Sequence, residues 1–273
     1  LAWMGYAALV LTVGAINGIG IGTAHELGHK KETLDRWLSK IALAPSAYGH
    51  FFVEHNRGHH KRVATPEDPA SARMGESFWA FLPRSFLGSL QSAWALEQER
   101  LNKQGVNVWH FQNHNLQAWG MTLVLFGALV AWLGWMALPF LVLQAVYAAS
   151  MLEVVNYVEH YGLLRQKDTA GRYVRCEPEH SWNSNHLVGN LLLYQLQRHS
   201  DHHVHPSRRY QALRHFESAP QLPAGYATMI TVAYLPPLWF GWMDRRVMAH
   251  YRGDLGLVNV QAWARRRLTQ RWG

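Results

Sequence analysis

The sequence has few cysteines, few charged residues and fewer acidic than basic ones. Cys176 is its single cysteine among 273 residues, which excludes an internal disulfide bond and any iron or zinc site built from four cysteines. Charged residues make up 16%, where soluble domains usually carry about 25%. The net charge is +8, but no helix-turn-helix, zinc-finger or RNA-binding signature accompanies it. A nucleic-acid-binding protein is therefore not indicated.

The sequence contains several long uncharged segments. Residues 1–24 contain no charge, and a helix of that length rises about 36 Å, enough to cross a bilayer. Residues 116–152 are also uncharged and too many for one span, so Gly134 and Pro139 predict a hairpin of two spanning helices. Residues 224–243 are broken by two adjacent prolines and are interpreted as buried or interfacial. These features predict an all-α integral membrane protein with three spans.

The polar segments predict the domain organisation and the orientation. Residues 1–243 are interpreted as one membrane-embedded catalytic domain. Residues 244–273, with seven Arg against two Asp, are interpreted as a basic tail facing an anionic cytoplasmic leaflet. Lys30 and Lys31 directly follow the first span, which favours the cytoplasm on that side. Residue 1 lies inside an apolar segment, so we expect further helices upstream in the whole protein.

Histidine is abundant, with 17 residues, and eight of them fall into three short clusters. Residues three or four positions apart share a helix face, and neutral imidazole is the commonest side-chain metal ligand. The clusters therefore predict a metal site. Adjacent histidines lie about 100° apart on a helix, so we expect the two members of each adjacent pair to bind different metals. The clusters are His25 and His29; His55, His59 and His60; and His199, His202 and His203.

Chain topology predicts that these clusters share one water layer. Too few residues separate the first two clusters for two further spans, and the 116–152 hairpin returns the chain to the same side. His160 lies just beyond this hairpin. Glu153, Asn156 and His160 have the spacing of one helix face. An ionisable residue at the depth of Glu153 is a functional candidate, although a helix end in the headgroup layer would explain it equally well.

Four motifs resemble those of the membrane alkane 1-monooxygenases of the AlkB family, within the fatty-acid desaturase and hydroxylase histidine-box superfamily. They are HELGHK (25–30), EHNRGHH (54–60), NYVEHYG (156–162) and LQRHSDHH (196–203). The resemblance covers residues 20–205 and implies a non-haem site for two irons held by nine histidines. These are His25, His29, His55, His59, His60, His160, His199, His202 and His203.

The resemblance also implies a reaction and its setting. It implies that O2 hydroxylates the terminal carbon of medium-chain n-alkanes from the bilayer. Electrons would come from rubredoxin, itself reduced by a reductase. The location would be the bacterial inner membrane, with the active site on the cytoplasmic side and a six-helix core. Only three of those helices are predicted in these residues.

Several residues near the histidines are expected to support the site. Glu26 and Asp201 are placed to accept the second N–H of a ligating imidazole, which would fix its tautomer. Exposed charge on a helix face is the alternative for both. Gly14, Gly18 and Gly22 recur every four residues on the first helix. This stripe predicts close helix packing or, alternatively, one wall of a slot for the alkyl substrate.

Three other functions compete with the alkane hydroxylase. HELGH also matches the H-E-x-x-H pattern of a membrane zinc protease, but such a site needs two histidines and one further ligand, which leaves six clustered histidines unexplained. A fatty-acyl desaturase or a xylene-type hydroxylase would use the same histidine boxes, although the wording of NYVEHYG and LQRHSDHH favours an alkane hydroxylase. A non-catalytic metal-binding or transport protein is the third alternative.

Overall fold

The computed structural model describes residues 3–273, so the first two residues of the predicted span 1–24 lie outside it. Across the described residues the chain is helical and forms no β-strand, which confirms the all-α prediction. The helices are α1 Trp3–Gly28, α2 Thr33–Leu43, α3 Phe51–Val53, α4 His60–Arg62, α5 Phe78–Asn102, α6 His114–Leu133, α7 Ala137–His160, α8 Leu187–Leu192, α9 His199–Val204, α10 Tyr226–Ala233, α11 Pro236–His250 and α12 Arg265–Trp272.

Within the described residues, three helices are long and apolar enough to cross a membrane, and they are α1, α6 and α7. The predicted hairpin forms between α6 and α7. Gly134 makes its turn with a φ of 86°, in the left-handed region that favours glycine. Pro139 lies in the first turn of α7, where its missing N–H leaves no helical hydrogen bond unmade. Helix α7 extends beyond the predicted uncharged span to His160 and contains Glu153 and Asn156, the residues with helical spacing to it.

The chain divides into two compact units. The first unit comprises the residues up to Gly58 together with Ser89–Leu152. Buried polar contacts link its helices: Asn17 Nδ2 donates to Gln144 Oε1 at 2.7 Å, and Ser39 Oγ donates to the Ala24 carbonyl at 2.6 Å. The first of these bonds connects two candidate spanning helices, which gain little from apolar contact inside a lipid bilayer.

The second unit comprises His59–Gly88 and Glu153–Gly273 and contains a large hydrophobic core. Tyr161 Oη donates to Asp244 Oδ1 at 2.8 Å and accepts the backbone N–H of Gly75 at 2.8 Å. The boundary predicted before residue 244 falls inside α11. Leu255 and Leu268 belong to the core, so residues 244–273 pack into this unit rather than forming a separate tail.

The segment 224–243, predicted to be buried or interfacial, forms α10 and the first part of α11. Pro236 and Pro237 occupy the first positions of α11, where proline fits because the first helical N–H groups have no acceptor within the helix. Met229 and Trp239 are fully buried in the core of the second unit. The segment is therefore interrupted before the proline pair, as predicted, and the prolines begin the second of its two helices.

Candidate metal centre

Four histidines of the second unit form one buried cluster. His59 ends a π-helical turn, Glu54–His59, His160 is the last residue of α7, and His199 and His203 lie one turn apart on α9. One nitrogen from each ring lies within 4.8 Å of the others. The Nε2 of His199 is 3.2 Å from the Nε2 of His160 and 2.8 Å from the Nε2 of His203. We call these four residues the four-histidine cluster.

The chemistry of these donors fits a metal ion. A neutral imidazole carries one N–H, so several convergent ring nitrogens cannot all be satisfied by hydrogen bonds to one another. Neighbouring ligand nitrogens about 2.1 Å from a shared ion lie about 3 Å apart, which matches the spacings of 2.8 and 3.2 Å. The four rings are at most 5% exposed. The cluster is therefore suited to hold a cation shielded from water.

Burial also sets the charge state of His203. It lowers the pKa of His203 well below its ordinary value, and the neighbouring His199 and His60 lower it further. The imidazole of His203 is thus neutral at physiological pH, the form that binds metals.

Asp68 orients one ring of the cluster, and the sequence analysis did not identify it. His59 Nδ1 is 2.9 Å from Asp68 Oδ2, so a protonated Nδ1 donates to the carboxylate and leaves Nε2 for a metal. Ser71 Oγ donates to the same oxygen at 2.6 Å. Burial alone would raise the pKa of Asp68, but the charge and hydrogen bond of His59 hold it below its usual range. An acidic residue shortly after a histidine motif was the only available signal.

Glu159 is a second residue that the sequence analysis passed over. Its side chain is 1% exposed, and its Oε2 lies 3.1 Å from the Nε2 of His199. Tyr226 Oη donates to the other carboxylate oxygen at 2.8 Å. Helical spacing had favoured Glu153 and Asn156 instead. Both are buried on α7, 1% and 6% exposed respectively.

Three histidines of the first unit also converge. The Nε2 of His29 lies 3.3 Å from the Nε2 of His25 and 3.1 Å from the Nε2 of His55. His25 lies in the last turn of α1, and His29 follows the end of that helix. Phe51 stacks on the ring of His55 at 4.7 Å between centroids. The spacing of these three nitrogens again matches ligands of one ion.

The remaining two histidines meet each other in the second unit, where the Nε2 of His202 is 3.0 Å from the Nε2 of His60. The members of each adjacent pair therefore have different partners. His59 and His203 lie in the four-histidine cluster, and His60 contacts His202. In the EHNRGHH motif, His55 contacts His29 of the first unit.

Two acidic residues expected beside the imidazoles form ion pairs. Glu26 pairs with Lys30, one helical turn away. The carboxylate of Asp201 binds Arg208 and accepts the backbone N–H of Arg214 at 2.9 Å. Asp201 lies two residues after His199, about 200° around the helix. It therefore faces away from that ligand, and the predicted imidazole contact is corrected to an arginine contact.

The glycine stripe of α1 packs against another helix of the same unit. A Cβ at Gly14 would lie 2.8 Å from the carbonyl oxygen of Gln144, and one at Gly18 would lie 3.1 Å from the Cβ of Met151. Both neighbours belong to α7. Gly22 is half-buried on the same helix. Helix α7 thus occupies the space of the alternative slot beside Gly14 and Gly18.

Comparison with known proteins identifies relatives of this chain. The model of the family described as fatty acid desaturase matches residues 1–233. An alkane 1-monooxygenase of Acinetobacter baylyi is 52% identical over 97% of this chain and 65% of its own length. Alkane 1-monooxygenase 1 of Alcanivorax borkumensis is 49% identical over 98% of this chain and 66% of its own. An alkane 1-monooxygenase of Ectopseudomonas oleovorans is 48% identical, with coverages of 100% and 68%. The chain thus spans about two thirds of the length of these relatives.

Proposed function

We propose, from the premise that this chain belongs to the fatty acid desaturase family and groups within it with the alkane 1-monooxygenases, that it is the metal-binding part of a membrane enzyme that hydroxylates alkanes. The observation that carries the proposal is the buried four-histidine cluster at the end of a helix long enough to cross a membrane. The relatives named above supply the reaction class. A cation held at that place is shielded from water and close to an apolar phase.

We propose that the histidines hold two non-haem iron ions. Nine histidine nitrogens exceed the six positions of one octahedral ion, and the spacings between ring nitrogens suit shared ions. All nine histidines named in the sequence analysis are proposed as ligands. His59 and His203 would hold one iron, with His60 and His202 bound to the other.

The reaction requires chemistry that amino-acid side chains lack. Bound iron supplies the O2 activation needed to attack an unactivated C–H bond. The chain's own residues prepare this: burial keeps His203 neutral, and Asp68 holds the ring of His59 by its Nδ1. The closed surroundings of these rings exclude water, which would otherwise compete for the ligand positions.

The proposed substrate is a medium-chain n-alkane, hydroxylated at its terminal carbon to a 1-alkanol. An alkane dissolves in the bilayer, so the three apolar helices α1, α6 and α7 offer it a route that needs no aqueous entrance. The proposed location is the bacterial inner membrane, with the site on the cytoplasmic side, as the lysines after α1 favour.

The electron source is proposed to be a separate rubredoxin-type protein that a reductase reduces in turn. Hydroxylation consumes one O2, two electrons and two protons, and yields the alcohol and one water. The single cysteine of these 273 residues cannot build a cysteine-ligated redox centre. Arg265, Arg266 and Arg267 are exposed on α12 and are proposed as docking contacts, although lipid headgroups would also attract them.

A product analysis tests the proposal. The full-length protein would be supplied with rubredoxin, reductase and C6–C16 alkanes, with metals counted on the same sample. For the wild-type protein we expect two irons per chain and 1-alkanol products. For His160→Ala we expect loss of iron and loss of 1-alkanol formation. Alkene products would indicate a desaturase, oxidation of xylene alone a xylene-type hydroxylase, and one zinc with peptide cleavage a protease. A His160→Ala enzyme with full iron content and activity would remove His160 from the ligands.

A further inference from the structure

Glu159 lies beside the four-histidine cluster, and the proposed ligation by nine histidines does not explain its position. Its Oε2 is 3.1 Å from the Nε2 of His199. That same nitrogen is 3.2 Å from the Nε2 of His160 and 2.8 Å from the Nε2 of His203. One imidazole nitrogen thus has three close electron-rich neighbours, which is more than its one possible N–H can serve.

Electrostatics limits what lies between these atoms. A carboxylate oxygen and an imidazole lone pair about 3 Å apart repel each other unless a proton or a metal cation lies between them. When a metal occupies the Nε2 of His199, that nitrogen has no proton left to donate. The cation then accounts for the approach of Glu159, and the 3.1 Å separation is the spacing of two ligand atoms on one ion, as it is for the neighbouring nitrogens.

The rest of the structure holds Glu159 in this orientation. Tyr226 Oη donates to Oε1 at 2.8 Å, which satisfies the oxygen that faces away from His199. The backbone N–H of Trp182 donates to the Glu159 carbonyl at 2.8 Å. Glu159 and Tyr226 are each 1% exposed. A buried carboxylate needs compensation by a hydrogen bond and an opposite charge, and the tyrosine provides only the hydrogen bond.

We infer that Glu159 is a carboxylate ligand of the metal held by the four-histidine cluster, and that Tyr226 orients it through its second oxygen. This inference rests on the proposed metal-binding function. It gives one metal a mixed nitrogen and oxygen coordination, where the family resemblance implies histidine alone.

The test compares variants of the full-length, iron-loaded protein. Glu159→Gln keeps the size of the side chain and an oxygen that accepts from Tyr226, but it removes the anionic ligand. Tyr226→Phe removes only the orienting hydrogen bond. Glu179→Gln is the matched control, because this glutamate lies in the same unit with its side chain 57% exposed.

The first readout is iron retention against a chelator, together with the Mössbauer spectrum. Loss of an outer partner of a metal ligand typically weakens metal binding about 10–100-fold. We therefore expect about a tenfold loss in Tyr226→Phe and about a hundredfold or greater loss in Glu159→Gln. The Mössbauer signal of only one of the two irons should change. Retention and spectrum equal to those of Glu179→Gln would overturn the inference.

A second readout needs no variant and so survives a folding failure of Glu159→Gln. Infrared difference spectra are recorded as iron is added to wild-type protein containing glutamate labelled with 13C at the side-chain carboxyl. We expect a shift of a labelled carboxylate band. No labelled band shifting on iron addition would exclude a glutamate ligand. Wild-type protein that binds no iron would instead contradict the proposed function itself, so the two failures are distinguishable.

Discussion

Asp68 decides which nitrogen of His59 carries the proton. Its carboxylate accepts from Nδ1 at 2.9 Å, so the proton is held on the side away from the cluster. We predict that Asp68→Asn lowers iron retention against a chelator about tenfold and Asp68→Ala up to about 100-fold, because the ring of His59 loses its fixed tautomer. Glu67→Gln, the exposed neighbour, is the control. Equal iron retention in Asp68→Ala and the control would mean that Asp68 stabilises only its own loop and does not affect metal binding.

Asp244 is a buried carboxylate remote from the histidines in sequence. Burial raises its pKa to about 6, although Tyr161, Arg271 and Arg267 lower it somewhat. A raised carboxyl pKa means that the folded protein holds the proton that the unfolded chain releases. Its contribution to stability is therefore present near pH 4 and is lost as the pH rises to about 6. A shift of about two units corresponds to about 3 kcal/mol.

Asp244→Asn should remove this pH dependence while still accepting the hydrogen bond from Tyr161. We predict that the variant is more stable than wild type above pH 6 and that the two converge only below about pH 4, where Asp244 is protonated in the folded and the unfolded protein alike. Thermal unfolding of the detergent-solubilised proteins across this range measures the difference. A difference between the two proteins that is constant with pH would show that Asp244 does not titrate there.

The contact between α1 and α7 is an element-scale feature that glycine makes possible. A Cβ at Gly14 would lie 2.8 Å from both the Gln144 carbonyl oxygen and Tyr147 Cδ1. We predict that Gly14→Ala lowers the free energy of unfolding by about 1–3 kcal/mol and reduces activity on C6 to C16 alkanes alike. Gly120→Ala is the control, because nothing lies within 4 Å of its added Cβ. A shifted chain-length optimum in Gly14→Ala would instead indicate a substrate wall.

The helices that the sequence predicts are those that a single property, the absence of charge, identifies. Absence of charge located α1 and the α6–α7 hairpin. From Glu153 to His160 polar residues recur among valines, so we expect this part of the helix to leave the membrane. The structure buries those polar residues instead, and burial by distant segments cannot be read from local composition.

The candidate site also contains residues that the sequence predicts and residues that it does not. Helical spacing identified histidines whose partners lie on the same turn, such as His199 and His203. It could not identify Asp68 or Glu159, because each reaches its imidazole through tertiary structure. Spacing favoured Glu153 for sharing the helix face of His160, whereas Glu159 reaches His199 because α9 packs beside the end of α7.

Net charge is a property of the whole molecule, and here it is +8. Arg265 and Arg266 project from α12, and Arg267 lies over the ring of Phe240 at 5.7 Å. If an acidic donor docks there, its reduction of the iron should slow as salt rises, since exposed charges are screened beyond about 8 Å at physiological ionic strength. We predict that a double variant, Arg265→Gln with Arg266→Gln, lowers the rate at low salt and reduces this salt dependence.

Stopped-flow reduction with a rubredoxin-type donor measures these rates at several salt concentrations. Arg172→Gln is the control, because this arginine is 80% exposed on a separate loop. Rates that do not change with salt in wild type would argue against charge-steered docking at any surface. A double variant with the same salt dependence as wild type would move the docking surface away from α12.

The four-histidine cluster draws on His59, His160, His199 and His203, which are spread over more than half of the chain. A ribosome adds about 5–20 residues per second, so on the order of ten seconds pass between synthesis of the first and the last of these ligands. During that interval the early histidine has no complete set of partners. A metal held by all four histidines would therefore gain its full set of ligands only after α9 has been made, so we expect loading of this cluster to be a late event in biogenesis.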